Sequence, residues 1–375
     1  MSVTLRPDEV TARHGKLFCR GVFTLVDEKN DVAQIIEECS AKGPVEWDAA
    51  NRKRAGGAIT NIRVEGTILI MDTIIGERQV HFGPASKDVG GQGLKALRVE
   101  GDLVKTTWVG LAGASVGIGA CLPQGPGTIS AEYPEDAKVG GANRIEVTIA
   151  TPKMVRIVFG VDDTDTKEKG ASWVLMLKCA RACPIGHFLE HKIVQLNPKA
   201  PDRTTQCVAV GISFAVEPKD VPALKDFVIK YVRENTLSQH TAMAIFSGLK
   251  VPKVLEDYGL RAKQHILKIE DAMKAAEQGE LEIVEITGRR GMIGAVAGVG
   301  CFDMGMRAAM LPEDWTCSLS CPRMDIDPSE DLEVASINVA VPQYACDRVL
   351  LERRTLSSFW HLFQQRHQPH ARDEP

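Results

Sequence analysis

Apolar residues in the first 150 positions come in short, strand-length bursts. Runs at 17–26, 59–64, 67–75, 103–109 and 144–149 are rich in branched and aromatic side chains, and turn formers such as Gly66, Gly101 and Asp102 separate them. One stretch, 31–39, sets Val32, Ile35 and Ile36 at a helical spacing and is predicted to be a helix. Residues 1–150 therefore read as a β-rich N-terminal domain.

The rhythm then changes. A continuous apolar run at 155–159 predicts a buried strand, and 171–183 carries Val174, Leu175 and Leu177 as a helix would. Strand patterns at 193–196 and 208–216, helical patterns at 224–232 and across the lysine-rich 251–278, and a strand at 281–286 complete an alternating α/β module over 151–311. Residues 312–375 form a C-terminal extension with an alternating run at 332–341, a helix-like end at 349–363 and a frayed terminus from 366. The expected fold class is α+β or mixed α/β, a β-rich domain followed by an α/β module.

Composition adds constraints. The chain has 375 residues, a formal net charge of -4 and 44% hydrophobic residues, values of an ordinary globular protein without the broad basic surface of a nucleic-acid binder. The polar N-terminus lacks the apolar core of a secretory signal and no later run has membrane-spanning length, so a cytoplasmic protein is expected. Ten scattered cysteines suit a reducing compartment.

The chemistry concentrates at Asp162-Asp163-Thr164-Asp165, a turn with three carboxylates closing a predicted strand. Mg²⁺ takes hard oxygen ligands and bridges carboxylates to phosphates, and like charges so close are costly unless a cation compensates them. A solvated turn with one capping aspartate weighs equally for these residues alone. The loop Lys167-Glu168-Lys169-Gly170 leads to Ser172 in the first turn of the next helix, where unpaired N–H groups attract phosphate; a plain capping serine is the simpler alternative. The proline-braced segment from Asn197 through Arg203, Thr204 and Thr205 offers an amide, a guanidinium and hydroxyls to a polar ligand, or is a stiff surface crossover. The glycine-rich segment from Gly288 to Gly300, with Arg289, Arg290, Gly291 and Gly294, allows close backbone approach to a ligand or tight helix packing.

In this order, over roughly 140 residues, the three segments resemble the synthetase module of the archaeal agmatinylcytidine synthetases, which modify an isoleucine tRNA. That family carries a G-[IV]-D-D-T-D turn, an N-P-x-x-P-x-K-T loop and a G-R-G-[LV]-I-G-A-L-A-A-I-G segment. They stand here at 160–165, 197–204 and 290–300. The whole chain looks closer to the methanogenesis marker protein 11 family, through Gly93-Leu94-Lys95-Ala96, the segment 107–113 and the segment 186–191.

The resemblance implies ATP and Mg²⁺ as cofactors, Asp162, Asp163 and Asp165 as metal and phosphate ligands with a catalytic role, and Ser172 in place of a phosphorylated threonine. Thr164, Thr166, Gly170, Asn197, Arg203, Thr204, Arg290, Gly291 and Gly294 would contribute to nucleotide binding. Arg203 stands where the family has lysine, and Thr205 where it has arginine. The synthetases continue into an oligonucleotide-binding domain and a zinc ribbon, whereas only about 75 residues follow Gly300 here. The expected activity is thus ATP-dependent phosphorylation of a carbonyl or amide oxygen on an acceptor, a protein or small molecule in preference to tRNA, in anaerobic one-carbon metabolism. A tRNA-modifying ligase and a nucleotide-binding assembly factor without turnover are the alternatives.

Three further features rank lower. Cys179, Cys183, Cys317 and Cys321 could form a thiolate site, but the three-residue gaps are unusual for zinc. His187 and His191 beside Glu190 have a metal-compatible spacing, with solvated histidines on a helix or loop as the favoured reading. The glycine-rich 110–119 is expected to pack a helix.

Overall fold

The computed structural model describes residues 2–83, 86–204 and 206–312. The predicted run at 332–341, the helix-like end at 349–363, and Cys317 and Cys321 all lie outside these residues.

The fold is mixed α/β, as expected, and its sheets share one long strand. Arg144–Asp162 runs for 19 residues and merges two runs that the sequence suggests are separate. Its first part pairs antiparallel with Leu103–Leu111 and with Ser130–Pro134. Its last part lies between Val208–Val216 and Ala242–Ser247, antiparallel to both. The expected boundary at 150/151 falls inside this strand.

In the N-terminal half, Cys19–Asp27 pairs with Val32–Cys39, which in turn pairs with Ile68–Ile74. The predicted helix at 31–39 is therefore a strand. Asp31 adopts a left-handed conformation (φ 53°) and closes a tight turn, after which Ala33 and Ile35 face the N-terminal core while Ile36 packs on the opposite side. Both faces are covered, which erases the alternation that would have identified a strand.

The helix at Lys42–Ala55 is not predicted by the sequence pattern. Its buried stripe is Val45, Asp48, Arg52 and Ala55 with Asn51, a helical period written mostly in polar residues. Arg52 is fully enclosed and donates to Glu37 Oε2 at 2.5 Å and to Asp48 Oδ2 at 3.4 Å.

In the C-terminal half, His187–Gln195, Val208–Val216, the long strand, Ala242–Ser247 and Glu282–Glu285 form an antiparallel sheet. Ile157, Phe159 and Val161 point to one side, where the helices Ser172–Ala182 and Val221–Asn235 supply Met176, Cys179, Leu224 and Val228. Val158 faces the other side, against Lys253–Gln264, Ile269–Gln278 and Met292–Gly300. Gly160 allows the last of these helices to lie directly on the strand, because a Cβ there would overlap the Ala295 carbonyl.

His187 and His191 sit on a strand, neither helix nor loop. His187 packs on the Phe23 ring with centroids 4.4 Å apart, and a ring nitrogen of His191 meets the Trp173 carbonyl at 3.0 Å. Their partners are thus separate protein groups. Residues 110–119 end a strand and enter short helical turns, Ala112–Ala114 and Gly117–Cys121. Among the described residues the cysteines are free thiols, and no helix is long and apolar enough to cross a membrane.

Candidate active site at the end of the long strand

Asp162 is the last residue of the long strand, paired with Ala242, and the chain turns sharply at Asp163 with a left-handed φ of 61°. A non-glycine residue holds that conformation only when its surroundings fix it. Here Thr241 donates its hydroxyl to the Asp163 carbonyl at 2.6 Å, and Ser238 donates to Asp163 Oδ1 at 2.9 Å. Arg290 grips the same carboxylate with Nε at 2.7 Å and Nη2 at 3.2 Å. The carboxylate of Asp163 is thereby committed to the protein, and so are two of the N–H groups of Arg290.

Asp162 and Asp165 are differently placed. Asp162 Oδ1 accepts the Asp163 N–H at 2.8 Å, while its other oxygen lies against Gly294, where any Cβ would overlap it. Burial pushes the Asp162 carboxyl up to about 8; the Asp163 N–H and Arg290 oppose the rise, and the charges of Asp163 and Asp165 add to it. Asp165 accepts a bond from the Thr204 hydroxyl at 3.3 Å and is also raised, chiefly by burial. Burial thus gives both carboxyls a heightened affinity for protons.

Ser172 begins its helix and is buried, yet it borders the cleft. Its Oγ accepts the Thr164 N–H at 3.3 Å and the Thr164 hydroxyl at 3.0 Å, so the hydrogen on Ser172 is not spent on either bond.

The cleft has two lobes that share Asp162, Asp163, Asp202, Arg203 and Cys207. The polar lobe, about 560 Å³, adds Asp165, Ser172, Trp173, Thr204 and Gln206. The second, about 670 Å³, adds Asn197, Arg290 and Gly294 along with apolar Leu196, Pro201, Ala262, Ile266, Leu267 and Ile293. Asn197 mainly anchors its own loop, donating to the Gln264 carbonyl at 3.0 Å and accepting the Lys199 N–H at 2.9 Å.

Four of the expected residues stand behind the lining. Thr164 holds Ser172, and Thr166 caps the loop by accepting from Glu168 N and Lys169 N. Gly170 takes a positive φ of 97° against Asp165, and Gly291 allows the helix start to approach Ala242 and Asp162 backbone. Sequence reasoning missed Ser238 and Thr241, which precede a short strand it did not identify, as well as Asp202, Gln206 and Trp173.

Among the described residues no group of three or more His, Cys, Asp or Glu is arranged to cage a metal ion. Mg²⁺ does not require one: it is commonly held by one or two carboxylates, substrate phosphates and water. Asp162 and Asp165, oxygen donors lining one cleft, fit that mode.

Known proteins resemble the chain at two levels, over most of its length and over the module that carries the cleft. Over 298 residues, 79% of this chain and 97% of the relative, the sequence is 34% identical to uncharacterized protein MJ0921 of Methanocaldococcus jannaschii. The chain belongs to the MJ0921 family. Within it, residues 158–288 match the TiaS TCKD domain. This MJ0921-family chain is also 30% identical over 152 residues to the tRNA 2-agmatinylcytidine synthetase TiaS of Thermococcus sibiricus, covering 39% of this chain and 35% of the synthetase. The TiaS of Pyrococcus horikoshii is 29% identical over 149 residues, 38% of this chain and 34% of that protein. The chain thus spans about a third of the length of those synthetases. The solved complex of TiaS with its tRNA and ATP aligns over 39% of this chain and 36% of its own, with 24% identity and a TM-score of 0.36.

Proposed function

We propose that this MJ0921-family protein is an ATP- and Mg²⁺-dependent ligase of the TiaS type, which activates an oxygen of its acceptor by phosphorylation. The observation that carries the reading is the convergence of Asp162, Asp165, Ser172, Arg203 and Thr204 on one polar lobe next to a more apolar lobe. Arg203, exposed, is positioned to meet phosphate oxygens, and Asp163 with Arg290 fixes the turn that presents Asp162. Mg²⁺ bound by Asp162 and Asp165 would neutralise phosphate charge.

Ser172 is the candidate relay. Its Oγ would form a bond to the γ-phosphorus as the bridge to the β-phosphate breaks, ADP leaves, and the hydroxyl proton passes to a neighbouring carboxylate. Both acceptor positions of Oγ are engaged by Thr164, so the Thr164 hydroxyl has to rotate away first, at a cost of about 1 kcal/mol.

The similarity to TiaS favours a tRNA acceptor. A protein or small-molecule acceptor from anaerobic one-carbon metabolism is the competing reading, motivated by the formal net charge of -4. Incubating the protein with γ-labelled ATP and Mg²⁺, alone and then with host tRNA or tRNA-free extract, tests both points. Label on Ser172 that is lost in Ser172→Ala supports the relay, and the fraction that removes the label identifies the acceptor. Absence of ATP binding or turnover in every arm refutes the proposal.

A further inference from the structure

A third cleft, of about 690 Å³, opens in the N-terminal half and shares no lining residue with the aspartate site. Phe18, Trp47 and Val116 stand at its rim, with Trp47 57% and Phe18 45% exposed, an unusual outlay of aromatic surface to water. Among the described residues, Asp48 is the one charged side chain in its lining, and it is 6% exposed.

Asp48 belongs to a buried network with an uneven charge count. Arg52 donates to Glu37 at 2.5 Å, to Gln92 Oε1 at 3.1 Å and to Asp48 Oδ2 at 3.4 Å, and its guanidinium lies 4.8 Å over the Trp108 ring. Gln92 completes the set by donating to Asp48 Oδ1. Two carboxylates therefore share one guanidinium, and the shorter ion pair belongs to Glu37. The surplus negative charge falls on Asp48, the member that reaches the cleft.

The same carboxylate is pre-oriented by Arg52 and Gln92 and lines the cleft. Gly117, another lining residue, lies against it: a Cβ there would stand 2.8 Å from Gln92 Nε2, 3.0 Å from Oδ1 and 3.1 Å from Oδ2, so a side chain at that position would crowd the pair. A surplus carboxylate in a low-dielectric wall attracts a cation and repels anions, and aromatic faces at the mouth attract cations through the ring quadrupole. Burial raises the Asp48 carboxyl to about 6, with Arg52 opposing and Glu37 adding, in keeping with a charge short of compensation.

We propose that this cleft binds a small organic cation, whose ammonium or guanidinium group pairs with Asp48 while its hydrocarbon part lies against Trp47 and Phe18. Apolar walls around one placed polar group are the usual make-up of a small-molecule site. The assignment does not depend on the ATP site.

The test follows the Trp47 indole N–H resonance of the full chain, assigned by its loss in Trp47→Phe, during titration with n-butylammonium chloride, n-butylguanidinium chloride, neutral 1-pentanol and sodium chloride. The expected result is saturable shifts with the two cations at millimolar concentration, binding at least about tenfold weaker for 1-pentanol, and none with sodium chloride. Asp48→Asn should weaken the cations about tenfold and leave 1-pentanol unchanged. Calorimetry of Trp47→Ala, changed at an exposed position, should show weakening of about fivefold to tenfold. Equal affinity for 1-pentanol and the cations, or an unmoved Trp47 resonance, overturns the proposal. These comparisons on the parent protein stand even if Asp48→Asn does not fold.

Discussion

Replacing Asp163 by Asn separates the charge of the acidic turn from its backbone shape. Asn tolerates the left-handed φ of 61° at this position nearly as well as Asp, so the turn itself is retained. What disappears is the charge of the grip on Arg290 and one of its two acceptors, in a pair of bonds at 2.7 and 3.2 Å between an Asp163 side chain 10% exposed and an Arg290 side chain 34% exposed. Breaking a fully buried pair costs about 3–5 kcal/mol and an exposed one about 0–1 kcal/mol, so this half-covered pair is worth about 2 kcal/mol. A fall of roughly 2–4 °C in Tm corresponds to that loss, given the large unfolding entropy of a chain this long. Urea denaturation of the parent, Asp163→Asn, Arg290→Met and the double variant measures the coupling directly. The double variant should be no less stable than the worse single one. Asp163→Ala should lose about 1 kcal/mol more than Asn, because alanine resists the left-handed turn. Additive losses, or an Asp163→Asn protein as stable as the parent, would refute the assignment of Asp163 as a positioning residue.

Two other perturbations probe Asp162. This carboxyl keeps its proton up to about pH 8 in the folded chain and loses it near 3.8 when unfolded; between those values the folded state binds the extra proton, so stability falls as pH rises. Asp162→Asn should therefore stabilise the cation-free protein most above pH 8 and have little effect near pH 4, read from urea midpoints across that range; an unchanged pH slope would count against a buried, proton-holding Asp162. Gly294→Ala would place a Cβ on the Asp162 carboxylate and force either the side chain or the helix start to move. It should cost about 1–3 kcal/mol in thermal unfolding and weaken any Mg²⁺-dependent stabilisation, whereas an alanine variant as stable as the parent and as responsive to Mg²⁺ would show that the helix is not seated there.

The parts of the fold legible from sequence are those whose hydrophobic period is intact. The helices at Ser172–Ala182 and Val221–Asn235 bury one clean apolar stripe each, and the spacing predicts both. The failures share a cause in burial of unusual residues. Helix Lys42–Ala55 hides Asp48, Asn51 and Arg52, so its inward face looks like an outward one in the sequence. Strand Val32–Cys39 is covered on both faces, and Ile35 and Ile36 then imitate a helical pair. At the site, the aspartates, Ser172 and the Asn197 loop can be picked out because they form dense local patterns. Ser238 and Thr241 cannot, since their function arises only when the strand after them pairs with the long strand and brings them to Asp163.

The long strand also limits how this protein can be divided or recombined. At about 3.3 Å per residue, its 19 residues form a bar roughly 60 Å long that starts among the N-terminal strands and ends at Asp162. A cut near residue 150 would leave both fragments with open sheet edges, an invitation to aggregate. The halves are joined by a shared beam where many multidomain enzymes have a hinge. Exchange of either half with another protein must therefore preserve the register of every strand along that beam, and a one-residue insertion anywhere within it would turn the Asp162 side chain to the opposite face of the sheet.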